Sequence, residues 1–224
     1  MGTLIVIEGT DASGKATQTQ LLFQRLQEKK LPVRQISFPD YNSPSSALVK
    51  MYLKGAFGKE ANAVNPYAAS AFFAVDRFAS FQTQWKDFYE SGGILIADRY
   101  VTANMIHQAV KISCPRKREE FLHWVQDFEY NKLGLPKPTL ALFLEMPPQF
   151  SMKLMADRLN KATGEEEKDI HEGDKEYLEN TYQNAKEIAR RFDFVTVPCV
   201  ANETLRTIEA IHQEIIKITE DTIT

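Results

Sequence analysis

The chain has 224 residues, of which 43% are hydrophobic and 25% charged, and its formal net charge is −3 at pH 7. These values are typical of a globular protein with one sizeable core. No apolar run approaches the length of a membrane span, and no overall basic field would attract nucleic acid, so we expect neither partner. The two cysteines share no metal-ligand spacing with a histidine, which indicates reduced thiols.

Strands alternate with helices along the chain. Short apolar runs predict strands at Leu4–Ile7, Val33–Phe38, Ile94–Ala97, Leu140–Leu144 and Phe194–Val197. Helical patterns occupy Thr17–Lys30, Ser45–Leu53, Pro66–Tyr89, Tyr100–Val110, Pro115–Leu133, Pro147–Leu159 and a stretch ending near Arg191. We expect Asn160–Lys168 to be mobile and Asn202 to cap a terminal helix. The alternation predicts a three-layer α/β fold, in which helices flank a five-stranded parallel sheet on both faces.

A glycine-rich loop joins the first strand to the first helix. Gly9, Gly14 and Lys15 have the Gly-x-x-x-x-Gly-Lys spacing of a phosphate-binding P-loop. Glycines let backbone N–H groups converge on phosphate oxygens, and the helix N-terminus adds its positive dipole end. An ordinary strand-to-helix turn is the simpler alternative. Residue 16 is Ala, where a hydroxyl normally reaches Mg²⁺. The candidate ATP-binding residues are Gly9, Thr10, Asp11, Ala12, Ser13, Gly14, Lys15, Ala16 and Thr17.

Polar residues follow other predicted strands. In a parallel sheet the carboxyl ends of the strands meet at one edge, so Phe38–Tyr41, Asp98–Tyr100 and Glu145 should face the cleft of the glycine loop. The Asp98 carboxylate could organise Mg²⁺ with its waters, and Arg99 could bind a phosphoryl group. A surface ion pair at a strand end is the alternative for these two residues.

Two helices carry residues suited to hold a nucleobase. Phe73 and Arg77 are four residues apart, so a ring and a guanidinium share one helix face. Such a pair could stack on a base and hydrogen-bond its edge, but taken alone it is better explained by a core ring and a solvated arginine. Asn104 could read a base edge beside Tyr100 and His107, and ordinary helix packing explains that spacing equally well.

A charged segment could close over a nucleotide. Met152–Glu172 contains Lys153, Arg158, Lys161 and Lys168 among acidic residues. A lid of this kind would place a cation on the transferring phosphoryl group, although a solvated loop is the usual explanation of such a run. His171 has no partner histidine or cysteine that would indicate a metal site.

The sequence resembles the thymidylate kinases, P-loop enzymes that phosphorylate dTMP with ATP. The resemblance covers nearly the whole chain and depends on the order and spacing of five segments. These are Glu8–Gln18, Phe38–Tyr41, Phe73–Arg77, Asp98–Tyr100 and Leu133–Pro138. Because Ala12 leaves the P-loop without an arginine, the pattern is similar to bacterial members of the family, in which the lid supplies the catalytic cation. Arg158 is the candidate for that cation.

The resemblance also implies residue roles. Catalysis would involve Lys15, Arg99, Arg158 and Asp11. The residues expected to bind dTMP are Phe38, Tyr41, Phe73, Arg77, Arg99, Tyr100, Asn104, His107 and His171. Asp11, Asp98 and Glu172 would hold Mg²⁺ directly or through water.

The implied activity is transfer of the ATP γ-phosphoryl group to dTMP, giving dTDP for dTTP synthesis. The resemblance implies one domain over residues 1–224 with a lid at about 153–172. It also implies a homodimer, formed through a face with Phe72, Phe78 and Phe88 or through the helix Pro115–Tyr130. Because the first strand begins near the N-terminus, we expect no signal peptide and a cytoplasmic location. A deoxynucleoside kinase and a non-catalytic nucleotide-binding regulator remain as alternatives.

Overall fold

The structure is a computed structural model and describes residues 1–60, 62–161 and 175–223, without the side chains of 156–161 and 175. The strands are β1 (Thr3–Gly9), β2 (Val33–Ser37), β3 (Ile94–Asp98), β4 (Leu140–Glu145), β5 (Val195–Pro198), β6 (Val200–Ala201) and β7 (Thr204–Leu205). The helices are α1 (Lys15–Glu28), α2 (Ala47–Leu53), α3 (Pro66–Ser80), α4 (Lys86–Glu90), α5 (Val101–His107), α6 (Pro115–Gln126), α7 (Pro148–Lys161), α8 (Lys175–Arg191) and α9 (Ile208–Ile223).

The described strands β1 to β5 form one parallel sheet in the order β2-β3-β1-β4-β5. The register aligns Ile7 of β1 with Asp98 of β3, and Ser37 of β2 also lies opposite Asp98. Gly9, where β1 ends, lies opposite Leu144 of β4. The α/β fold predicted from the sequence is therefore confirmed, and the loops after β1, β2 and β3 leave the sheet at the same edge.

Alternate residues of the strands feed two separate cores, as the period of a strand requires. Ile5 and Ile7 of β1 pack with α1 and α9 on one face of the sheet. Leu4 and Val6 pack with α5, α6 and α8 on the other face, around Phe121. Because both faces are covered, the central strands β1, β3 and β4 have continuous apolar runs, whereas the edge strands β2 and β5 include polar residues.

The helix boundaries are close to the predictions, and the differences have local causes. The segment predicted as one helix over Pro66–Tyr89 is helical throughout, and Phe81–Trp85, between α3 and α4, forms a π-helical turn. A second π-helical turn follows α6 and extends to Lys132. Asn160, predicted in a mobile loop, lies in α7, whereas residues 162–168 are outside the described ranges.

The prediction that Asn202 caps the last helix is wrong. Asn202 and Glu203 both have left-handed backbone angles, φ 49° and 57°, and turn the chain between β6 and β7. This conformation suits a two-residue hairpin, which the sequence pattern did not reveal. The cap of α9 is Thr207, whose hydroxyl accepts a hydrogen bond from the Ala210 amide at 3.1 Å. Among the described helices, none is long and apolar enough to span a membrane.

Candidate active site

The glycine loop connects the buried strand β1 to the N-terminus of α1. Gly14 has a left-handed backbone with φ 87°, and Ala12 has φ 55°, so the loop folds tightly between strand and helix. A Cβ at Gly9 would lie 2.5 Å from the Ser13 hydroxyl oxygen, so a larger residue there would displace the loop. Lys15 begins α1, and its ammonium donates to the Thr10 carbonyl at 2.7 Å. The loop thus has the strand, turn and helix context that its motif requires.

Lys15 is an unusually acidic ammonium. Its burial and the nearby Arg99 guanidinium lower its pKa to about 8, although Asp11, Asp98 and Glu8 act in the opposite direction. Only 7% of the residue is exposed. Because polyanionic phosphates would favour the charged form, Lys15 is suited to bind a nucleotide triphosphate.

Arg99 leaves the end of β3 with a left-handed backbone, φ 66°. Its Nη2 donates to Asp11 Oδ1, and its Nη1 lies 2.7 Å from His107 Nε2. Burial alone would raise the pKa of Asp11, but Arg99, His107 and Lys15 outweigh it and hold the pKa well below its usual range. The guanidinium is therefore held between the glycine loop and α5 beside an ionised carboxylate.

Glu8 stabilises the backbone that follows Arg99. Its carboxylate is completely buried and accepts hydrogen bonds from the Tyr100 amide at 3.0 Å and from the Thr102 hydroxyl. Burial raises the pKa of Glu8. Through these two hydrogen bonds Glu8 holds the turn after β3, from which Arg99 extends.

A cleft of about 230 Å³ opens beside the glycine loop. Most of the residues predicted to bind a monophosphate line it. The lining residues are Asp11, Phe38, Pro39, Tyr41, Leu53, Phe73, Arg77, Arg99, Ala103, Asn104, His107 and Gln108. Tyr100 is absent from this wall: it is fully buried under Phe38, with ring centroids 6.1 Å apart, and donates to the Pro136 carbonyl. Its contact with a ligand stays a prediction.

The far end of the cleft contains a buried ion pair. Arg77 Nε and Nη2 donate to Glu129 Oε2 and Oε1, each at 2.7 Å, and both side chains are 1% exposed. Asn104 Nδ2 donates to the same Glu129 Oε1 at 2.8 Å and to the Ser70 carbonyl at 3.2 Å. The solvated arginine favoured by the sequence is therefore wrong. Arg77 is buried, paired with Glu129, and lies in the wall of the cleft.

Sequence reasoning missed Glu129. The residue lies in the π-helical turn after α6, in the stripe formed by Leu122, Val125 and Glu129, which is otherwise apolar. A buried glutamate requires a cationic partner, so a glutamate at this position in an apolar stripe could have indicated a buried ion pair. Gln108 was also missed, and it lines the cleft one residue beyond α5.

Phe73 supplies the aromatic surface of the cleft. It packs edge-on against Tyr52, with centroids 6.1 Å apart and planes at 90°. The residue is only partly buried and lines the cleft, so part of it is accessible to a ligand there.

The described residues contain no group of three or more metal-ligating side chains. Mg²⁺ at phosphoryl-transfer sites usually needs only one or two carboxylates, because phosphates and waters complete its coordination. Asp11 and Asp98 fit that requirement, since both lie near enough to Lys15 and Arg99 to raise the pKa of each, whereas Ala16 supplies no hydroxyl. Two predicted residues, His171 and Glu172, lie outside the described ranges, and the side chain of Arg158 is not described.

A glycine loop before a helix, at the carboxyl edge of a parallel sheet with two cationic side chains beside it, defines a P-loop nucleotide-binding protein of the phosphotransferase type. The model of one family, thymidylate kinase, matches residues 7–215. The chain belongs to the thymidylate kinase family.

Named thymidylate kinases from distant organisms are similar to it. The thymidylate kinase of Danio rerio is 27% identical over 99% of this chain and 92% of its own length. That of Mycobacterium tuberculosis is 29% identical over 80% of this chain and 81% of its own length. That of Schizosaccharomyces pombe is 28% identical over 97% and 91%. The similarity therefore extends over the glycine loop, the cleft and the surrounding sheet.

Proposed function

We propose that the protein transfers the γ-phosphoryl group of ATP to the 5′-phosphate of dTMP, giving dTDP for dTTP synthesis. One observation carries the proposal: a single cleft has Arg99 beside the P-loop at one end, and Phe73, Arg77 and Asn104 at the other. A monophosphate could place its phosphate against Arg99 while its base reaches Arg77. Membership of the thymidylate kinase family supports the choice of dTMP.

The chemistry would be in-line transfer without a covalent enzyme intermediate. Lys15 and the loop amides would bind the phosphates of ATP, while Arg99 would hold the acceptor phosphate in line with them. Catalysis would then come from positioning and from stabilisation of charge on the transferring group. Phe38 and Tyr41 would line the acceptor side, and Asp11 would orient Arg99 towards it.

Mg²⁺ is the expected cofactor, and it would shield the phosphate charges when bound. Asp98 and Asp11 would hold it with Glu172. Residues 1–224 would form one domain whose lid, at about 153–172, supplies Arg158 as a further cation. His171 would approach the nucleotide when the lid closes.

The direct test is ADP release from ATP and Mg²⁺ with a panel of acceptors in a coupled assay. We expect rapid turnover with dTMP and none with thymidine. Faster turnover with thymidine would indicate a deoxynucleoside kinase. ATP binding without ADP release under any acceptor would indicate a regulator, and either result would reject the proposal.

We also propose that two copies of the chain associate. Apolar side chains are exposed on neighbouring helices, α2 and α3: they are Leu48, Met51, Val75 and Phe78. Phe88 stays a predicted contact, and the Arg34 guanidinium lies 4.2 Å from its ring centroid. Light scattering should give the mass of a dimer, and Phe78→Asp should convert it to a monomer. A monomeric wild-type protein would refute this arrangement.

The remaining predictions concern location and partners. A cytoplasmic location would place the enzyme with its substrates, ATP and dTMP. Neither nucleic acid nor a membrane is needed for the proposed reaction. Fractionation of cells that produce the tagged protein would test the location, since recovery in a membrane pellet would contradict it.

A further inference from the structure

The buried ion pair at the far end of the cleft has a consequence for base selectivity. We propose that Glu129 determines which pyrimidine the cleft accepts, by fixing the hydrogen-bonding groups that Asn104 and Arg77 present to the base. The favoured ligand is a base with an imide edge, a carbonyl beside an N–H, as in thymine or uracil. This inference rests on the proposed function, because it assumes that the base of the acceptor lies at this end.

Asn104 supplies the first part of the argument. Its amide carries two hydrogens, and both are donated, one to Glu129 Oε1 at 2.8 Å and one to the Ser70 carbonyl at 3.2 Å. Only the amide oxygen of Asn104 is then left to meet a ligand. The side chain lines the cleft, so this position offers the base a hydrogen-bond acceptor.

Arg77 supplies the second part. A guanidinium has five N–H donors, and Glu129 takes two of them at 2.7 Å, one from Nε and one from Nη2. The remaining N–H groups can only donate. A donor from Arg77 and an acceptor from Asn104 match the O4 carbonyl and the N3–H of thymine. The edge of cytosine has an amino group and an unprotonated N3, so both contacts would be mismatched.

Glu129 makes this arrangement difficult to reverse. A carboxylate paired with arginine only accepts hydrogen bonds. If the Asn104 amide rotated by about 180°, its oxygen would face Glu129 Oε1, and two buried acceptors would meet without a hydrogen. Burial of the pair, with both partners 1% exposed, excludes the water that could relieve this contact. Glu129 therefore acts through its neighbours as a positioning residue and does not itself line the cleft.

The first test is Glu129→Gln, which keeps the shape of the side chain but adds a donor. The carbonyl of the introduced glutamine can still accept from Arg77. The amide group of that glutamine can then donate to the Asn104 oxygen, which favours the Asn104 amide rotated by about 180°. We expect the ratio of kcat/KM for dTMP to that for dCMP to fall at least about tenfold, with KM for ATP changed less than about twofold. Glu120→Gln, on the exposed side of α6, should leave the ratio unchanged. An unchanged ratio in Glu129→Gln, even with lower activity, would overturn the inference.

A double-mutant cycle separates positioning from a merely structural role. Asn104→Ala removes the acceptor, so it should lower the same ratio while Arg77 and Glu129 stay paired. In the Asn104→Ala background, Glu129→Gln should change the ratio much less than in the wild type. Independent effects of the two substitutions on the ratio would contradict a role through Asn104.

The wild-type protein provides a test that does not depend on the folding of a variant. Methylation of dTMP at N3 removes the donor that Asn104 should meet, so the methylated nucleotide should bind at least about thirtyfold more weakly than dTMP. Equal binding would overturn the inference. If wild-type protein showed no ADP release with dTMP, the proposed function itself would fail. Rapid dTMP turnover without discrimination against dCMP or the methylated nucleotide would reject only the role of Glu129.

Discussion

The two ends of the cleft handle charge in different ways. At the phosphate end, Arg99 and its partner Asp11 are 22% and 25% exposed, and Lys15 has a lowered pKa. At the base end, Arg77 and Glu129 form an ion pair in which each side chain is 1% exposed. The difference shows that charges at the phosphate end remain available to a ligand, whereas those at the base end also hold the protein together. Substitutions should therefore separate activity from stability at one end and link them at the other.

The largest effect on the fold should come from Arg77→Ala. This change leaves Glu129 buried without its cation, which should cost about 3–5 kcal/mol of the free energy of unfolding. The matched control is Arg191→Ala, because Arg191 makes the same two-bond contact to Glu119 at the surface. Its loss should cost less than about 1 kcal/mol. Denaturant unfolding measures both, and equal losses would break the contrast between buried and exposed pairs.

If Arg77→Ala still folds, it should also use dTMP poorly, and unchanged dTMP kinetics would count against its role in base binding.

The largest effect on activity should come from Lys15→Ala. Loss of the ammonium at the P-loop should lower kcat/KM on the order of 10³-fold, because charge on the transferring phosphoryl would lose its cation. The free energy of unfolding should not fall, since the lowered pKa means that the charged ammonium of Lys15 is less stable in the folded protein than in the unfolded chain. Lys29→Ala, at the exposed end of α1, should have normal turnover. Near-normal turnover of Lys15→Ala would reject the assignment of the P-loop.

Arg99→Ala should have an intermediate effect. We expect kcat/KM for dTMP to fall on the order of 10²-fold, mainly through loss of the acceptor phosphate contact. Because its ion pair with Asp11 is partly exposed, stability should change by about 1 kcal/mol or less. Steady-state kinetics and thermal unfolding on the same preparation would check this. A variant that unfolds easily but retains dTMP kinetics would reverse the contrast between the two ends.

The smallest effect should appear in the pH dependence. Lys15 is charged below its pKa of about 8 and neutral above it. Therefore kcat/KM for ATP, which reports the free enzyme, should fall several-fold as pH rises through about 8 to 9. At saturating ATP, the phosphates should hold the proton, so kcat should stay level to higher pH. Cys114→Ser removes an exposed thiol and should leave the profile unchanged. A kcat/KM profile that stays flat from about pH 7 to 9.5 would contradict the lowered pKa.

The same contrast explains how much the sequence revealed. The fold and the P-loop were predictable because they depend on local patterns: apolar runs, glycine spacing and a helix start at Lys15. The proximity of Arg99 to Asp11 followed from the rule that parallel strands end at one edge. Arg77 was ambiguous, since its partner Glu129 lies 52 residues away. Contacts of that kind depend on how α3 packs against the segment after α6, which no short spacing encodes.

Two local features also escaped prediction for physical reasons. The hairpin at Asn202 lacks the glycine that usually marks a left-handed turn, since Glu203 occupies the second position. The burial of Tyr100 was likewise not evident from its motif segment: its ring is buried beside Phe38, whereas the neighbouring Arg99 lines the cleft.

The most direct test of the central claim is a crystal structure with dTMP and a non-hydrolysable ATP analogue. The claim is that both nucleotides meet in one cleft between Lys15 and Arg77. We predict the dTMP phosphate against Arg99, its base beside Phe73 and Arg77, and the analogue's terminal phosphate at Lys15. A dTMP molecule bound outside this cleft, with its phosphate remote from Arg99 and Lys15, would contradict the account.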